Sequence, residues 1–390
     1  MKPSIEFELM GVPEAERVFD VGSLTAQLNQ LTDPRRPRGI RYKLVHLFTL
    51  LILAKLGGED DMKGIAAWVR LRGKALARLL NLPREQMPHQ TTYERLLDKM
   101  DVTEVEAVIG NFFAQQALSD RTITLDGKVL RGTIPPGETQ GTHLLAAYVP
   151  EQGVVLMQVE VDRKANEITA APRLLDALDL RDGVVTGDAM FTQRDLCDQI
   201  VAAGGEYVFP VKANQGQLLE AIAHLFMPPP VSAGQQAIPL PEVYAQTVSS
   251  GHGRIEHRYL TVSGQLNDYL DWPHLGQVFR LQRVVQRQNT GKLTYQVLFG
   301  VTSLSVESCT PARLMHLIRS HWHIENRLHY VRDVTFHEDA CRIRETKRQR
   351  LLACLNNLVL GLIRRCDFDY VPDARRFFAV NYAQAFQLLL

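Results

Sequence analysis

The fold class follows from residues 184–215, which read VVTGDAMFTQRDLCDQIVAAGGEYVFPVKANQ. The apolar run Gly183–Thr186 predicts a buried strand, Gln193–Ala203 has helical spacing and ends at two glycines, and Tyr207–Val211 predicts the next strand. A strand, a helix and a second strand in this order are typical of an α/β protein. Asp188 follows the first of these strands almost directly.

The residues before this stretch extend the same pattern. The predicted elements are strands at Thr122–Leu125, Thr142–Tyr148 and Val154–Val161 and a helix at Ile168–Leu178. Together they predict a mixed sheet covered by helices. Asp126 comes directly after the first strand. Because side chains at the carboxyl ends of neighbouring strands meet at one crevice, we expect Asp126 and Asp188 to lie close together.

The remaining sequence predicts two further regions. Apolar residues at three- and four-residue spacing predict an all-helical N-terminal domain over residues 1–118, with helices at Leu44–Leu56, Met62–Leu71, Lys74–Leu80, Thr92–Asp98 and Val102–Leu118. Prolines and alternating strands at Val243–Val248, Arg254–Val262, Val278–Gln286 and Leu293–Thr302 predict a β-rich insertion over residues 226–305. Residues 119–225 and 306–390 would then be the two parts of the α/β core.

Composition limits the classes of protein. The chain has 390 residues, 45% of them hydrophobic, which is enough for a large core. Lys and Arg number 44 against 43 Asp and Glu, so any contact with nucleic acid must come from local basic patches. Five cysteines without a CxxC pair indicate reduced thiols. Without a recognisable targeting segment or a run long enough to span a bilayer, the sequence predicts a cytoplasmic protein.

Several polar clusters allow two interpretations each. DPRRPRGIRYK, with Arg35, Arg36 and Arg38, is either a solvated linker or a basic arm along a phosphate backbone. Lys212 and Asn214 of VKANQ form either a plain loop or a contact with the DNA strand. GHGR, with His252 and Arg254, is either a hairpin turn or part of the same surface. The basic residues at positions 342–350 form either a solvated helix face or a DNA-backbone contact.

The segment HWHIENRLHYVRDVTFHED, residues 321–339, has an unusual density of charged and imidazole groups. On an α-helix Glu325, His329 and Arg332 would share one face. Three carboxylates, Asp126, Asp188 and Glu325, predict a site for two Mg²⁺ ions, which prefer oxygen ligands and can activate and stabilise oxygens in phosphodiester cleavage. For any single acid the alternative is a helix cap or a surface charge.

A zinc site is the competing interpretation of this segment. It would use His321, Glu325 and His329, although the HExxH motif of zinc hydrolases is absent. The sequence also lacks a GxSxG elbow, a P-loop and a GxGxxG motif, so it gives no support to serine-nucleophile or nucleotide-driven chemistry. Trp322 either stacks on a base or packs in the core, and core packing is the usual role of a lone tryptophan.

Five blocks in order carry a resemblance to a known family: TITLDGKVLRGT, VVTGDAMFTQ, YVFPVKANQ, GHGRIEHR and IRSHWHIENRLHYVRDVTFHEDACRIR. Together they resemble the H-repeat-associated transposases, a branch of the DDE insertion-sequence transposases of bacteria. The N-terminal DPRRPRGIRYKLVHLFTLLILAKLGG resembles the helical domain associated with that family. Broader relatives carry a YxxRWxIE pattern; here Ile318 and His321 replace its tyrosine and arginine, and Arg332 stands where a lysine is expected.

The resemblance implies an RNase H-like catalytic core with a β-rich insertion ahead of the last acid, preceded by an all-helical N-terminal domain that binds DNA ends or contacts a second subunit. It assigns Asp126, Asp188 and Glu325 as catalytic acids that bind Mg²⁺ or Mn²⁺, with two ions. The implied reaction is hydrolysis of DNA at the element ends, followed by attack of the freed 3′-hydroxyl on target DNA. The residues then expected to contact DNA are Lys128, Arg131, Lys212, Asn214, His252, Arg254, Trp322, Asn326, His329, Arg332, Arg35, Arg36 and Arg38.

Three further expectations follow from the resemblance. Two element ends must be cut, so we expect a homodimer at least when DNA is bound. Asp333, Glu338 and Asp339 are additional acids that could ligate or tune the metal. Two alternatives to an active transposase stay open: a catalytically idle or domesticated DNA-binding relative, and a metal-dependent DNA nuclease without strand transfer.

Overall fold

The computed structural model describes residues 22–38, 40–82, 84–115, 121–226, 244–341, 343, 345–366 and 368–389. Contacts divide the chain into two compact units, one of Met1–Phe112 with Arg350–Leu390 and the other of Phe113–Gln349. Residues 350–390 therefore group with the N-terminal helices, whereas the sequence-based division placed them with the α/β core. Among the described helices none is both long and apolar enough to cross a membrane.

The described residues form fourteen α-helices and nine strands. The helices are α1 (Gly22–Asn29), α2 (Leu44–Leu56), α3 (Met62–Leu71), α4 (Gly73–Leu79), α5 (Gln90–Leu97), α6 (Val102–Ala114), α7 (Glu167–Asp176), α8 (Arg194–Ala202), α9 (Gly216–Phe226), α10 (Pro311–Ser320), α11 (Tyr330–Val334), α12 (Thr346–Arg364), α13 (Val371–Val380) and α14 (Tyr382–Gln387). The strands are β1 (Thr122–Leu130), β2 (Thr142–Val149), β3 (Val154–Val161), β4 (Val184–Thr186), β5 (Glu206–Val211), β6 (Tyr244–Gly251), β7 (Arg254–Ser263), β8 (Gln277–Arg287) and β9 (Leu293–Thr302).

The first unit is built around α2, of which every residue but His46 is buried. A helix that is apolar on all sides must be surrounded, and α1, α3, α13 and α14 pack against it. Two ion pairs join distant parts of this unit: Arg350 Nε lies 2.8 Å from Glu106 Oε1, and Arg375 Nη2 lies 2.7 Å from Asp60 Oδ1. These partly buried pairs help explain why the C-terminal helices belong to the helical unit.

The second unit is a nine-stranded mixed sheet in the order β3-β2-β1-β4-β5-β9-β8-β7-β6. Strands β1, β4 and β5 pair in parallel, and the other pairs are antiparallel. The predicted strands between residues 142 and 211 are present, with bounds shifted by at most one residue. The β-rich segment extends this same sheet, because β9 pairs with β5 through Val208 and Thr302.

Helices cover both faces of the sheet. On one face α7 and α8 pack against Leu125, Val185 and Phe209 in a single apolar cluster. On the other face Leu314 and Ile318 of α10 belong to an apolar cluster with residues of β7 and β8.

The predicted end of β1 at Leu125 is corrected by the structure. The strand continues to Leu130, and Asp126 pairs with Ala146 of β2. The parallel pairing with β4, however, ends at Thr124 and Thr186. Asp126 therefore lies inside β1, just past the last residue of β1 that pairs with β4. The crevice predicted at the carboxyl ends of the parallel strands is retained on the side of β1 that faces β4.

Candidate active site

Asp126 is the most enclosed of the three predicted acids, with 19% of its side chain exposed. Burial, followed by the charges of Glu325, Glu167 and Asp188, raises the pKa of Asp126 to about 8, against a backbone N–H of Gly127 that lowers it. These contributions require Glu325, Glu167 and Asp188 each to lie within electrostatic range of Asp126. Four separate elements thus contribute to this region the three predicted acids and one acid that was not predicted.

Asp188 lies at the mouth of the crevice, with 57% of its side chain exposed. Its Oδ1 is 3.6 Å from His321 Nε2. The His321 ring holds the pKa of Asp188 below its ordinary value, against the opposing effect of burial, and Lys212 adds to the lowering. Asp188 is therefore ionised at neutral pH, beside a more buried acid that tends to keep its proton.

Glu325 lies in a turn of π-helix formed by Ile324–His329, not in the α-helix that the sequence predicts. The N–H of Tyr330 donates to the Glu325 carbonyl, an i→i+5 bond that widens the turn. As a result Glu325 is exposed, while His329 and Arg332 are buried. The single helical face predicted for these three side chains is therefore not present.

The donor set fits a hard divalent cation. Asp126, Asp188 and Glu325 offer oxygen ligands, and the charges of Glu325 and Asp188 add to burial in raising the pKa of Asp126. Across the described residues no three His, Cys, Asp or Glu side chains converge at metal-ligand distance. Mg²⁺ does not require such a cluster, because it is commonly held by one or two carboxylates together with substrate phosphate and water. The site residues thus fit the group that the resemblance implies.

The two histidines of the zinc interpretation lie beside different acids. His321 contacts Asp188, and His329 Nε2 lies 3.6 Å from Asp126 Oδ2. Burial, with the charges of Arg332 and Lys128 acting in the same direction, lowers the pKa of His329 to about 3, so its ring is neutral. Since His321, Glu325 and His329 do not form a metal-ligand cluster in the described part of the chain, the geometry gives no support to a zinc site.

Several predicted DNA-contacting cations are held in ion pairs. Arg332 is 1% exposed and binds Glu338 with two guanidinium nitrogens, at 3.0 and 2.7 Å. Lys128 Nζ lies 2.5 Å from Asp333 Oδ1, and Arg131 Nε lies 3.3 Å from Asp339 Oδ2. Arg332 is too buried to reach a phosphate, whereas 72% of the Arg131 side chain remains exposed.

The same pairs account for the additional acids. Asp333, Glu338 and Asp339 each neutralise a cation, so they are structural partners in this arrangement of the chain. Burial raises the pKa of Asp333, against the opposing effect of Lys128. None of the three is among the groups that raise the pKa of Asp126.

A cleft of about 830 Å³ opens beside the acids, between β6–β9 and the end of α10 with the segment that follows it. It brings together five of the predicted DNA-contacting residues, namely Lys212, His252, Arg254, Trp322 and Asn326. Trp322 is 60% exposed, so its expected role in core packing is not what the structure has. His252 is in the left-handed region, φ 50°, followed by Gly253 at φ 71°, so GHGR is a hairpin turn that also lines the cleft.

The cleft is strongly cationic. Its lining contains Lys212, Arg254, Arg258, Arg283 and Arg319 against one carboxylate, Glu256. Glu256 holds three of the arginines: Arg254 Nε at 2.7 Å, Arg283 Nη2 at 2.8 Å, and Arg258. Burial lowers the pKa of Arg258, and the guanidinium groups of Arg319 and Arg283 act in the same direction. One carboxylate cannot balance five cations, so this surface attracts a polyanion.

Asn214 and the arginines of the predicted basic arm are not among the residues that line the cleft. Asn214 donates from Nδ2 to the Ala189 carbonyl at 2.8 Å, so it ties the VKANQ loop to the loop of Asp188. In the helical unit, Arg35 is bound by Asp33 and by the Tyr42 carbonyl, whereas Arg36 and Arg38 are exposed. Arg342 and Arg344 of the basic stretch lie outside the described residues.

Sequence reasoning missed Glu167 and four charged residues of the cleft, Glu256, Arg258, Arg283 and Arg319. Arg254, Glu256 and Arg258 alternate along β7, and this period of two is a signal that could have placed them on one face. Glu167 gave no such signal, because an acid at the start of a helix is common. It approaches Asp126 only because α7 packs on the sheet beside β2 and β3.

Fold and site together define an α/β protein with a carboxylate cluster beside a cationic cleft. Comparison with known families then identifies the family: residues 118–362 match the transposase DDE domain, and residues 25–113 match the domain described as DDE_Tnp_1-associated. The chain belongs to this family of DDE transposases, which implies an RNase H-like core.

Individual relatives agree with the family match. The chain is 28% identical over 356 residues to the protein named "Putative transposase YncI" of Escherichia coli O157:H7, covering 89% of each chain. It is 27% identical over 357 residues to "H repeat-associated putative transposase YhhI" of Escherichia coli strain K12, covering 88% of this chain and 91% of that one. The resemblance to H-repeat-associated transposases is thereby confirmed.

Among solved structures, the chain is similar to the piggyBac transposase in its synaptic complex with hairpin DNA. The TM-score is 0.41 with 11% sequence identity, over 94% of this chain and 77% of that one.

Proposed function

We propose that the chain is an active DNA transposase that cleaves phosphodiesters at the ends of a mobile element and joins the freed 3′-hydroxyl to target DNA. The observation that carries this proposal is the clustering of Asp126, Asp188 and Glu325. They come from β1, from the loop after β4 and from the π-helical turn, and the charges of Glu325 and Asp188 both raise the pKa of Asp126. A surface acid or a helix cap has no reason to share such a place with two others.

The carboxylates Asp126, Asp188 and Glu325 would hold the divalent ions, Mg²⁺ or Mn²⁺. Bound ions activate the attacking oxygen and stabilise the charge on the leaving oxygen. His329 is neutral and buried, so it leaves the negative charge of Asp126 available when the proton is lost. The protein needs no covalent intermediate, because it acts by positioning and by charge stabilisation.

The cationic cleft would bind the DNA strand next to the acids. Lys212 both lines the cleft and influences the pKa of Asp188, so a backbone bound there is close to the site of chemistry. The exposed ring of Trp322 offers a stacking surface at the same place. Because two element ends must be cut in one event, we also propose that the active complex contains two subunits.

The proposal is tested with labelled DNA that carries the sequences flanking the reading frame, incubated with the protein and Mg²⁺. Asp188→Ala serves as the test variant, and Asp198→Ala, which removes an exposed aspartate of α8, serves as the matched control. We expect nicking and joined product with the unaltered protein and with Asp198→Ala, and neither with Asp188→Ala.

Two outcomes would favour the alternatives. Binding of the end DNA without nicking by any of the three proteins would indicate an idle or domesticated DNA-binding relative. Nicking that depends on Asp188 but gives no joined product, even with supercoiled target DNA present, would indicate a nuclease. Either result would overturn the proposal in the form given above.

A further inference from the structure

Glu256 lies at the centre of a cluster of arginines on β7 and β8, and the proposed reaction gives it no role. Its side chain is 6% exposed. Its Oε1 accepts from Arg254 Nε at 2.7 Å and from Arg283 Nη2 at 2.8 Å. Its Oε2 accepts from Arg283 Nε at 3.1 Å and from Arg258 Nη2. These N–H groups occupy the acceptor positions that an ionised carboxylate offers.

The register of the sheet places two of these arginines at unfavourable positions. Arg258 of β7 is directly opposite Arg283 of β8, and like charges at opposed positions destabilise a sheet. Glu256 lies two residues before Arg258, on the same face of β7, and binds both guanidinium groups. Arg258 Nη1 also donates to Ser249 Oγ at 2.9 Å, and Arg283 Nη1 donates to Gln296 Oε1 at 3.0 Å. Both guanidinium groups are thereby held in defined orientations.

The cluster retains an excess of positive charge on the wall of the cleft. Three guanidinium groups against the one carboxylate of Glu256 leave a charge of +2, and Arg319 of α10 lines the same cleft. The side chains of Arg254 and Arg283 are 48% and 34% exposed, so an anion in the cleft can reach them. An ion-pair cluster that only stabilised the sheet would gain nothing from this excess, because the arginines repel one another.

We propose that Glu256 is a positioning residue that holds Arg254, Arg258 and Arg283 as one binding site for a phosphate of the DNA backbone. The inference rests on the proposed function, because it takes the cleft as the place where the DNA strand binds. A guanidinium group binds a phosphate through N–H groups of fixed direction. A free arginine loses rotamer freedom when it binds an anion, and the contacts with Glu256 impose that loss before DNA arrives.

Two variants separate positioning from simple charge balance. Glu256→Gln adds one positive charge to the cleft, so charge balance alone predicts tighter DNA binding, whereas loss of positioning predicts weaker binding. Glu256→Asp leaves the net charge unchanged and withdraws the carboxylate by one methylene, so a weaker affinity reports geometry alone. Asp179→Asn is the matched control for Glu256→Gln. It changes the net charge equally and removes the exposed ion pair of Asp179 with Arg181, neither of which lines the cleft.

Binding is measured with the full-length protein and a fluorescein-labelled single-stranded DNA of arbitrary sequence, by anisotropy in EDTA over a range of salt concentrations. We expect both Glu256 variants to bind about 5- to 10-fold more weakly, and the slope of log affinity against log salt to fall by about 1. Asp179→Asn should bind at least as tightly as the unaltered protein, with the same slope. Thermal unfolding checks that each variant is folded, and if Glu256→Gln is not, Glu256→Asp decides the question.

The outcomes separate this inference from the proposed function. Equal or tighter binding by a folded Glu256 variant would overturn the positioning role and leave the cleft as the DNA site. Weaker binding with an unchanged salt slope would also overturn it, because no phosphate contact would have been lost. Unchanged binding by Arg254→Gln and Arg283→Gln as well would instead refute DNA binding in the cleft, while the nicking assay with Asp188→Ala tests the acids independently.

Discussion

Replacing Asp126 by asparagine should stabilise the metal-free protein, and more so as the pH rises. Burial and neighbouring carboxylates raise the pKa of Asp126 from 3.8 to about 8. Between those values the folded protein keeps a proton that the unfolded chain has lost. The free energy of unfolding therefore falls by about 1.4 kcal/mol for each pH unit above 3.8, and it stops falling as the pH passes about 8.

The magnitude follows from this difference in proton binding. Compared with a carboxyl group whose pKa is the same in both states, Asp126 lowers the free energy of unfolding by about 3 kcal/mol at pH 6 and by about 5–6 kcal/mol at pH 8.5. Asparagine never ionises, so the stability advantage of Asp126→Asn should grow by about 2–3 kcal/mol over this interval. In a unit of this size that corresponds to a melting temperature difference that widens by about 5–10 °C.

The assay is thermal unfolding in EDTA at pH 6 and pH 8.5, with the variant and the unaltered protein side by side. Asp188→Asn is the control with the opposite sign, because His321 holds the pKa of Asp188 below its ordinary value and the folded protein is stabilised by that charge. It should lower the melting temperature at both pH values. An advantage of Asp126→Asn that does not change with pH, or a variant less stable than the unaltered protein at pH 8.5, would refute the reasoning.

Three further substitutions test other parts of the structure. Arg332→Met should lower the free energy of unfolding in urea by about 3–5 kcal/mol, because it removes the ion pair between Arg332 and the buried Glu338. Full recovery of stability is not expected unless Glu338 is replaced too. An unchanged urea midpoint would contradict the buried pair. Arg375→Met should lower the stability of the helical unit because it removes the ion pair between Arg375 and Asp60, and limited proteolysis at residues 350–389 should increase. Equal proteolysis rates in the variant and the unaltered protein would argue against the packing of α13 on α2. Trp322→Ala should leave the melting temperature almost unchanged, because the ring is 60% exposed. The same variant should bind single-stranded DNA about tenfold more weakly in fluorescence anisotropy. Equal affinities of the variant and the unaltered protein would exclude a stacking role.

The sequence by itself determined the local elements and the family. Apolar spacing predicted α2, α3 and β3 with their observed bounds, because a buried helix or strand face leaves a periodic trace in a short stretch of chain. Five ordered blocks determined the transposase resemblance, which the family match confirms. The placing of Asp126 and Asp188 near one crevice followed from a general property of parallel strands.

Tertiary structure decided what depends on contacts between distant residues. The π-helical turn exposes Glu325 and buries Arg332, and the packing of α7 brings Glu167 over Gly127. The pairing of β9 with β5 makes the β-rich segment part of the core sheet, and the ion pairs of Arg350 and Arg375 draw the last helices to the first. No local pattern records such contacts, since each partner alone has the spacing and polarity of an ordinary surface residue. Their energy comes from burial and charge pairing that exist only once the chain has folded.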